Sequence, residues 1–570
     1  MSYLRDYQVD ARDSGLQALS NHESALMVMP TGTGKTEVFL DLIDKWLTMY
    51  DSGVLVLAHR QELVWQPWDR WHSKTGGYGE LEMGEYHRSN NLRTSSVTFA
   101  SKDTLYRPKR LRKAFPDPKS VGLIVIDEAH HAIKANKTYQ SIIDYFSVNP
   151  DLRVLGVTAT PDRTDEQALG QTFATVAYDY PLYNPDGDSA ITDGWLCPIE
   201  VKSVIVDDIN FDSIDVRGGD FAPGQLESEM NREKVIHRVT GPTMELSKGK
   251  PVLTFAAGVS HAARMAEVFN RVQPSSAYCL VSTIKPEDKH DFVVDSGDRD
   301  ARKRMLRQFN NGEFQYLCNV GCLTEGYDAP NVQLLSMARP TQSRSLAAQM
   351  CGRGTRVLPN VIEGDGWRLD TPEARKEAIA DSDKPCITIL DFVGNSRHNL
   401  ASALDVLGGI YPDEVVEKAH DLARQSSGAV SVVDALKEAD EIITLERRER
   451  EKIKAKATYR VEELNPFSCL DVVARREPGW HKGRLATPKQ KEALRRFKVE
   501  DGHINEMTFW KAHQLMDKLV ERSKEGRCTY KQAKLLSKFG ENTECSFEQA
   551  SAKIDKIAKN GWKRLAYATN

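Results

Sequence analysis

Met29-Pro-Thr-Gly-Thr-Gly-Lys-Thr36 follows an apolar run and precedes a helical pattern, the setting in which a glycine-rich turn cradles phosphate. The segment Thr31, Gly32, Thr33, Gly34 brings backbone N–H groups toward an anion, Lys35 reaches the β/γ oxygens, and Thr36 offers a hydroxyl to Mg²⁺. The strict pattern opens on glycine, and here that position is Met29. Leu123 to His130 (LIVIDEAH) is a buried-strand pattern delivering Asp127 and Glu128 at its carboxyl end, where parallel α/β sheets bind ligands. Asp127 suits a water-mediated Mg²⁺ contact, and Glu128 suits a base that orients and deprotonates an attacking water. Two carboxylates at a strand end could merely begin a loop; their pairing with a phosphate turn argues against that. Arg353 and Arg356 lie three apart, so on a helix both guanidinium groups would face one way and neutralise a transferring phosphoryl group.

These groups need two sheets to position them. Short apolar runs alternate with amphipathic stretches through the first 180 residues, with candidate strands at Ala25 to Met29, Val54 to Ala58, Val97 to Ala100, Leu123 to Ile126 and Val154 to Val157. A second set comprises Val252 to Phe255, Tyr278 to Val281, Tyr316 to Asn319, Leu334 to Met337 and Ile387 to Leu390. Between the sets, Tyr183 to Ser189 and Val216 to Gly224 read as Gly/Pro/Asp-rich loops. The expected class is α/β: two parallel-sheet phosphate-binding lobes, residues 1–180 and 241–400, joined by a connector at 181–240. A helical connector follows at 401–480, then a small all-α domain at 481–570.

That last domain holds a repeat. Thr487-Pro-Lys-Gln490 with Leu494 and Phe497 recurs 42 residues later as Thr529-Tyr-Lys-Gln532 with Leu536 and Phe539; Thr508-Phe509, Ala512 and Met516 to Leu519 recur 38 residues later as Ser546-Phe547, Ala550 and Ile554 to Ile557. Thr487, Thr508, Thr529 and Ser546 sit where N-caps belong, so each copy reads as a helix hairpin, with Phe509, Ala512, Met516 and Leu519 on one apolar face. Residues 481–570 carry 20 Lys+Arg against 11 Asp+Glu, a local +9 in a chain of net −4. The bulk charge of the tail therefore favours a polyanion, with Lys489 and Lys531, and their neighbours Gln490 and Gln532, at helix starts where phosphate could bind. A solvated lysine-rich surface would give the same count.

Composition sets further bounds. The chain has 570 residues, too many for one core, and nine scattered cysteines without a CxxC pair, which argues against a disulfide framework or zinc ribbon. The charged N-terminus and the absence of about 18 consecutive apolar residues suggest neither an export signal nor a membrane span, hence a cytoplasmic protein.

Read in order, the segments resemble the DEAD/DEAH-box superfamily 2 helicases, which are built from two RecA-like lobes. Leu4-Arg-Asp-Tyr-Gln8 looks like the adenine-recognising Q-type motif, implying that Gln8 and Arg5 lie near the base. Ala58-His-Arg-Gln-Glu-Leu63 resembles motif Ia and Ala100-Ser-Lys-Asp-Thr-Leu105 motif Ib, which implies nucleic-acid contacts by His59, Arg60 and Ser101. Thr158-Ala-Thr160 resembles motif III, Phe255 to Gly258 motif IV, and Thr324-Glu-Gly-Tyr-Asp328 motif V, with Thr324 toward nucleic acid and Gly326 and Asp328 toward nucleotide. Gln349-Met-Cys-Gly-Arg-Gly-Thr-Arg356 resembles motif VI, implying that Gln349, Arg353 and Arg356 act at ATP. Asp193 to Pro198 and Ile389 to Gly394 are similar to segments of RadD-like and Rad-type repair members. The resemblance covers residues 1 to 400 and implies an ATP- and Mg²⁺-dependent helicase or translocase on nucleic acid, with DNA favoured over RNA. Its alternatives are a double-stranded DNA translocase motor of a restriction or defence complex, and a scaffold whose ATPase has decayed; intact Lys35, Glu128, Arg353 and Arg356 weigh against the scaffold. Protein partners are not legible.

Overall fold

The computed structural model describes residues 4–76, 79–88, 97–134, 136–159, 169–185, 187–206, 209, 211–217, 220–284, 286–324, 327, 329–393, 411–425, 430–457, 466–470 and 474–562. Among the described residues are two large α/β sheets, two small hairpins and a C-terminal group of helices, and each expected strand is present.

The first sheet comprises β1 (Ser24–Val28), β2 (Gly53–Ala58), β3 (Gly79–Glu82), β4 (Val97–Ser101), β5 (Val121–Asp127), β6 (Arg153–Thr158) and β7 (Thr175–Asp179) in the order β3-β4-β2-β5-β6-β1-β7, with parallel neighbours. Its central strands are buried along their length, as continuous Val/Ile/Leu runs demand when helices cover both faces. The order sets β6 between β5 and β1, and the register pairs Asp127 with Val157 and Val28 with Thr158. The phosphate turn, the Asp-Glu pair and Thr158 therefore lie at one height at the carboxyl end of the sheet.

The second sheet runs β13-β12-β14-β11-β15-β18-β8-β19. Its strands are β8 (Ile199–Ile205), β11 (Val252–Phe255), β12 (Ala277–Val281), β13 (Val293–Asp295), β14 (Tyr316–Asn319), β15 (Leu334–Met337), β18 (Ile387–Val393) and β19 (Val430–Ser431). Among the described residues its neighbours pair parallel except β19, which runs antiparallel to β8. Adjacent strands β14, β11 and β15 lead into the segments resembling motifs V, IV and VI. Two hairpins are added, β9 (Val216–Arg217) with β10 (Asp220–Phe221), and β16 (Glu363–Gly364) with β17 (Trp367–Arg368). One stretch expected to be loop thus contains the β9–β10 hairpin, and β8, from within the expected 181–240 connector, pairs with β18 along seven residues of the second sheet.

The chain divides into two compact units, residues 1–407 with 420–436, and residues 408–419 with 437–570. In the second unit, Thr487, Thr508, Thr529 and Ser546 each accept a backbone N–H at the start of helices Pro488–Arg496, Phe509–Lys524, Tyr530–Lys538 and Phe547–Lys559. The two copies are structurally equivalent: the isolated bridge Leu485–Thr508 in the first is matched by Arg527–Ser546 in the second. Leu494, Leu515, Leu519, Leu536 and Ile557 form the shared core. Phe509, expected on that apolar face, is only partly buried, and Leu515 takes the core position. Among the described residues no helix is long and apolar enough to cross a membrane.

Candidate active site

The phosphate turn is built by two glycines in the left-handed region, Gly32 at φ 93° and Gly34 at φ 80°, where a Cβ would be strained. A Cβ on Gly34 would also stand 2.4 Å from Gln8 Nε2. Met29 does not need to be glycine: it continues β1, is fully buried, and its N–H donates to the Thr158 carbonyl at 2.9 Å. Gln8 braces the turn, its Nε2 donating to the Thr33 carbonyl at 2.8 Å, and the Tyr7 hydroxyl donates to the same oxygen at 2.8 Å. Lys35 heads the helix Lys35–Met49 beside Thr36; its Nζ lies 3.3 Å from the Met29 carbonyl and 4.0 Å from Glu128 Oε1.

Asp127 and Glu128 are both buried. Asp127 Oδ1 accepts from Glu128 N at 2.9 Å, and Glu128 adopts φ 49°, a left-handed conformation that costs a non-glycine residue about 1–2 kcal/mol and turns the chain sharply after β5. Glu128 Oε2 is covered, without a hydrogen-bond partner among the described residues, and 3.5 Å from His130 Nδ1. His130 Nδ1 also lies 2.9 Å from Thr158 Oγ1, and His130 Nε2 lies 3.5 Å from Gln349 Nε2. A buried carboxylate oxygen that accepts no hydrogen bond among the described residues, a lysine in reach and a two-glycine cradle fit a Mg²⁺–nucleotide.

The second lobe closes onto this cradle. A Cβ on Gly352 would stand 2.7 Å from Thr31 Cβ, and one on Gly32 would stand 3.1 Å from Leu196 Cδ2 and 3.4 Å from Arg356 Cγ. The two arginines do not share a helical face as expected, because the helix Arg344–Cys351 ends before them. They diverge: buried Arg353 donates through Nε to the Thr324 carbonyl at 2.9 Å and through Nη1 to that of Tyr327 at 2.8 Å, while Arg356 lies along the phosphate turn. The main chain of Arg356 is held from two sides. Leu196 bridges to it, and fully buried Lys384 donates from Nζ to the Arg356 and Pro330 carbonyls, each at 2.7 Å.

Arg5 also links the lobes. Its Nη2 pairs with Glu363 Oε1 at 2.6 Å, and Arg368 pairs with the other oxygen at 3.0 Å. Burial opposes ionisation of Glu363, yet the two guanidinium groups hold its carboxyl below the usual range. The ring of Trp195 lies against Arg375 at 3.8 Å and Arg5 at 4.7 Å, and Tyr7 stacks on Tyr180 at 4.6 Å. Lys384 and Glu363 were missed from sequence, and Trp195 was noted only within the segment Asp193 to Pro198: Lys384, Trp195 and the Glu363 pairing with Arg5 depend on partners far away along the chain.

A separate cleft of about 740 Å³ lies between the lobes, lined by His59, Arg60, His131, Thr324 and Gln349 among others and by no residue of the phosphate turn. Arg60 Nη1 crosses it to donate to the Gly321 carbonyl at 2.8 Å. Ser101, buried at the end of β4, does not line this cleft. Gly326, Asp328 and Thr160 lie outside the described residues. Lys489 and Lys531 are exposed at equivalent helix starts, but Gln490 and Gln532 are not available there: both are capping-box residues whose side-chain oxygens accept from Thr487 N and Thr529 N.

Known proteins share this layout. Residues 2–163 match the family model "Type III restriction enzyme, res subunit", and residues 234–357 match "Helicase conserved C-terminal domain". The chain is 29% identical over 419 residues to the Saccharomyces cerevisiae protein named "Putative ATP-dependent helicase IRC3", covering 71% of this chain and 53% of that protein. The chain belongs to the superfamily 2 helicases. Within that superfamily it is also 28% identical to a type I restriction enzyme EcoAI endonuclease subunit of Escherichia coli, over 62% of this chain and 44% of that protein. It therefore spans about half the length of these relatives. In fold, it is similar to the ATP-dependent Type ISP restriction-modification enzyme LlaBIII bound to DNA, with TM-score 0.51 and 14% identity, over 99% of this chain and 40% of that one.

Proposed function

We propose that the protein is an ATP-dependent DNA helicase or translocase that hydrolyses ATP between the phosphate turn and the segment Gly352 to Arg356. The observation that carries this reading is the contact of that second-lobe segment with Thr31 and Gly32 of the first. A nucleotide there touches both lobes, so binding favours closure and hydrolysis releases it. Backbone N–H groups of the turn and Lys35 hold the phosphates. Glu128 accepts the proton of the attacking water, and Arg356 offsets charge that develops on the transferring phosphoryl group. Thr36 and Asp127 would hold Mg²⁺, which shields the phosphate oxygens when bound. The His130 contacts with Thr158 and Gln349 connect the Asp-Glu turn to the wall of the second cleft, giving hydrolysis a route to a strand gripped by its phosphates near His59, Arg60 and Thr324. The segments similar to repair-type members favour DNA, and a cytoplasmic location suits such an enzyme.

ATPase rates with single-stranded DNA, duplex, fork, four-way junction and RNA test this reading. DNA is expected to stimulate turnover; stimulation by RNA alone, or by no nucleic acid, would overturn it. The likeness to the EcoAI subunit favours a second reading, a duplex translocase within a restriction or defence complex, for which duplex is the best activator and no strand is displaced.

A further inference from the structure

The two helix hairpins of the C-terminal unit provide an internal comparison, because their backbone bridges coincide and their surfaces do not. In the first copy a file of rings runs along the start of helix Phe509–Lys524. His481 lies 4.7 Å from Phe509 and stacks on Trp510 at 5.8 Å, and Trp510 lies 5.8 Å from His513. Arg484 covers the outer side of Phe509 at 4.8 Å, and Lys511 is exposed beside Trp510. At the equivalent positions of the second copy, His481 is replaced by Ser523, Arg484 by Gly526, Trp510 by Glu548, Lys511 by Gln549 and His513 by Ser551. Phe547, the counterpart of Phe509, stands 51% exposed.

The second copy makes the matching bridge and N-cap without these groups, Gln549 closing a capping box where Lys511 stands in the first, so the hairpin itself does not require them. The indole Nε1 of Trp510 has no hydrogen-bond partner among the described residues, and burial with Arg484 and His513 nearby lowers the His481 pKa to about 4, leaving a neutral ring in a cationic setting. Flat rings bordered by exposed cations match a ligand that alternates π-faces with negative charge. We infer that the face formed by His481, Arg484, Trp510, Lys511 and His513 binds single-stranded nucleic acid, its bases stacking on the rings and its phosphates on Arg484 and Lys511. This rests on the proposed motor reading and adds a second strand contact outside the lobes.

The test uses the full chain and two labelled oligonucleotides of about 20 nucleotides, oligo-dT and the same backbone without bases, followed by fluorescence anisotropy. Wild type should prefer dT. Trp510→Ala should weaken dT binding about tenfold, leave the abasic strand unchanged, and so abolish the preference. His513→Ala, at an exposed position, should do the same to a smaller degree if Trp510→Ala fails to fold. Phe547→Ala in the other copy should change neither affinity, and all three variants should keep wild-type basal ATPase. Unchanged dT affinity in the folded Trp510 and His513 variants, or equal loss for both strands, would overturn the inference. A wild-type ATPase insensitive to nucleic acid would instead overturn the motor reading while leaving the stacking preference measurable.

Discussion

Replacing Lys384 with Met tests how Arg356, proposed to act on the transferring phosphoryl group, is held. Lys384 is fully buried, and its ammonium donates at 2.7 Å to the carbonyls of Arg356 and Pro330. Methionine fills similar space without a donor. Two half-buried carbonyls then lose a donor, the Arg356 carbonyl keeping Cys197 Sγ at 3.6 Å, which lowers stability by about 1–3 kcal/mol in all and frees one side of the Arg356 backbone. A shift near 1 Å in a group that must meet the transition state costs about 10²-fold. The variant is therefore expected to turn over ATP about 10- to 100-fold more slowly, with KM changed less than about threefold, since Lys35 and the turn still bind the phosphates. The assay is steady-state ATPase on protein shown to be folded by its unfolding transition, alongside Arg356→Ala and the double variant. Because Lys384 acts through Arg356, the double variant should be no slower than Arg356→Ala. Losses that multiply in the double variant would refute the positioning role, as would a folded Lys384→Met enzyme with wild-type kcat.

The divergence of the two arginines gives a second expectation. Arg356→Ala should depress kcat by about 10³ or more with little change in KM, whereas Arg353→Ala, which removes donors from the Thr324 and Tyr327 carbonyls, should chiefly reduce stimulation by DNA; identical kinetic signatures would contradict that division. Fully buried His261, whose pKa burial and then Arg264 lower to about 3, must be neutral in the folded second lobe. Its pKa in the unfolded chain is higher, near 6.5, so the neutral folded form is favoured fully above pH 6.5 and loses about 1.4 kcal/mol per unit as pH falls from 6.5 toward 3. His261→Gln should flatten that part of the stability profile in chemical denaturation, and an unaltered slope would assign the acid loss elsewhere.

Local chemistry was legible and remote chemistry was not. The four N-caps of the tail and the ten core strands were readable because a Thr or Ser before an apolar period, or an unbroken Val/Ile/Leu run, acts within a few residues. The missed strands lie mostly toward the sheet edges: β3 is Gly-Glu-Leu-Glu, and β7 is half-buried. β8 interleaves Glu and Lys with its apolar residues. Arg353 and Arg356 were misread as one helical face because the helix stops at Cys351, where Gly352 lets the chain approach Thr31. Gln490 and Gln532 looked like phosphate ligands, but a glutamine at the third helical position closes a capping box first. Glu363, Trp195 and Lys384 reach the site only through tertiary folding.

The coupling of hydrolysis to movement is tested most directly by displacement of a third strand from duplex DNA, with single-strand displacement from a fork measured in parallel. Wild type with ATP and Mg²⁺ should remove the third strand after a lag that lengthens with its distance from the free end, while Glu128→Gln, able to bind ATP but not to activate water, should leave it in place. DNA-stimulated hydrolysis with neither third-strand nor fork displacement, or displacement that persists in Glu128→Gln, would contradict a motor driven from the site between the lobes.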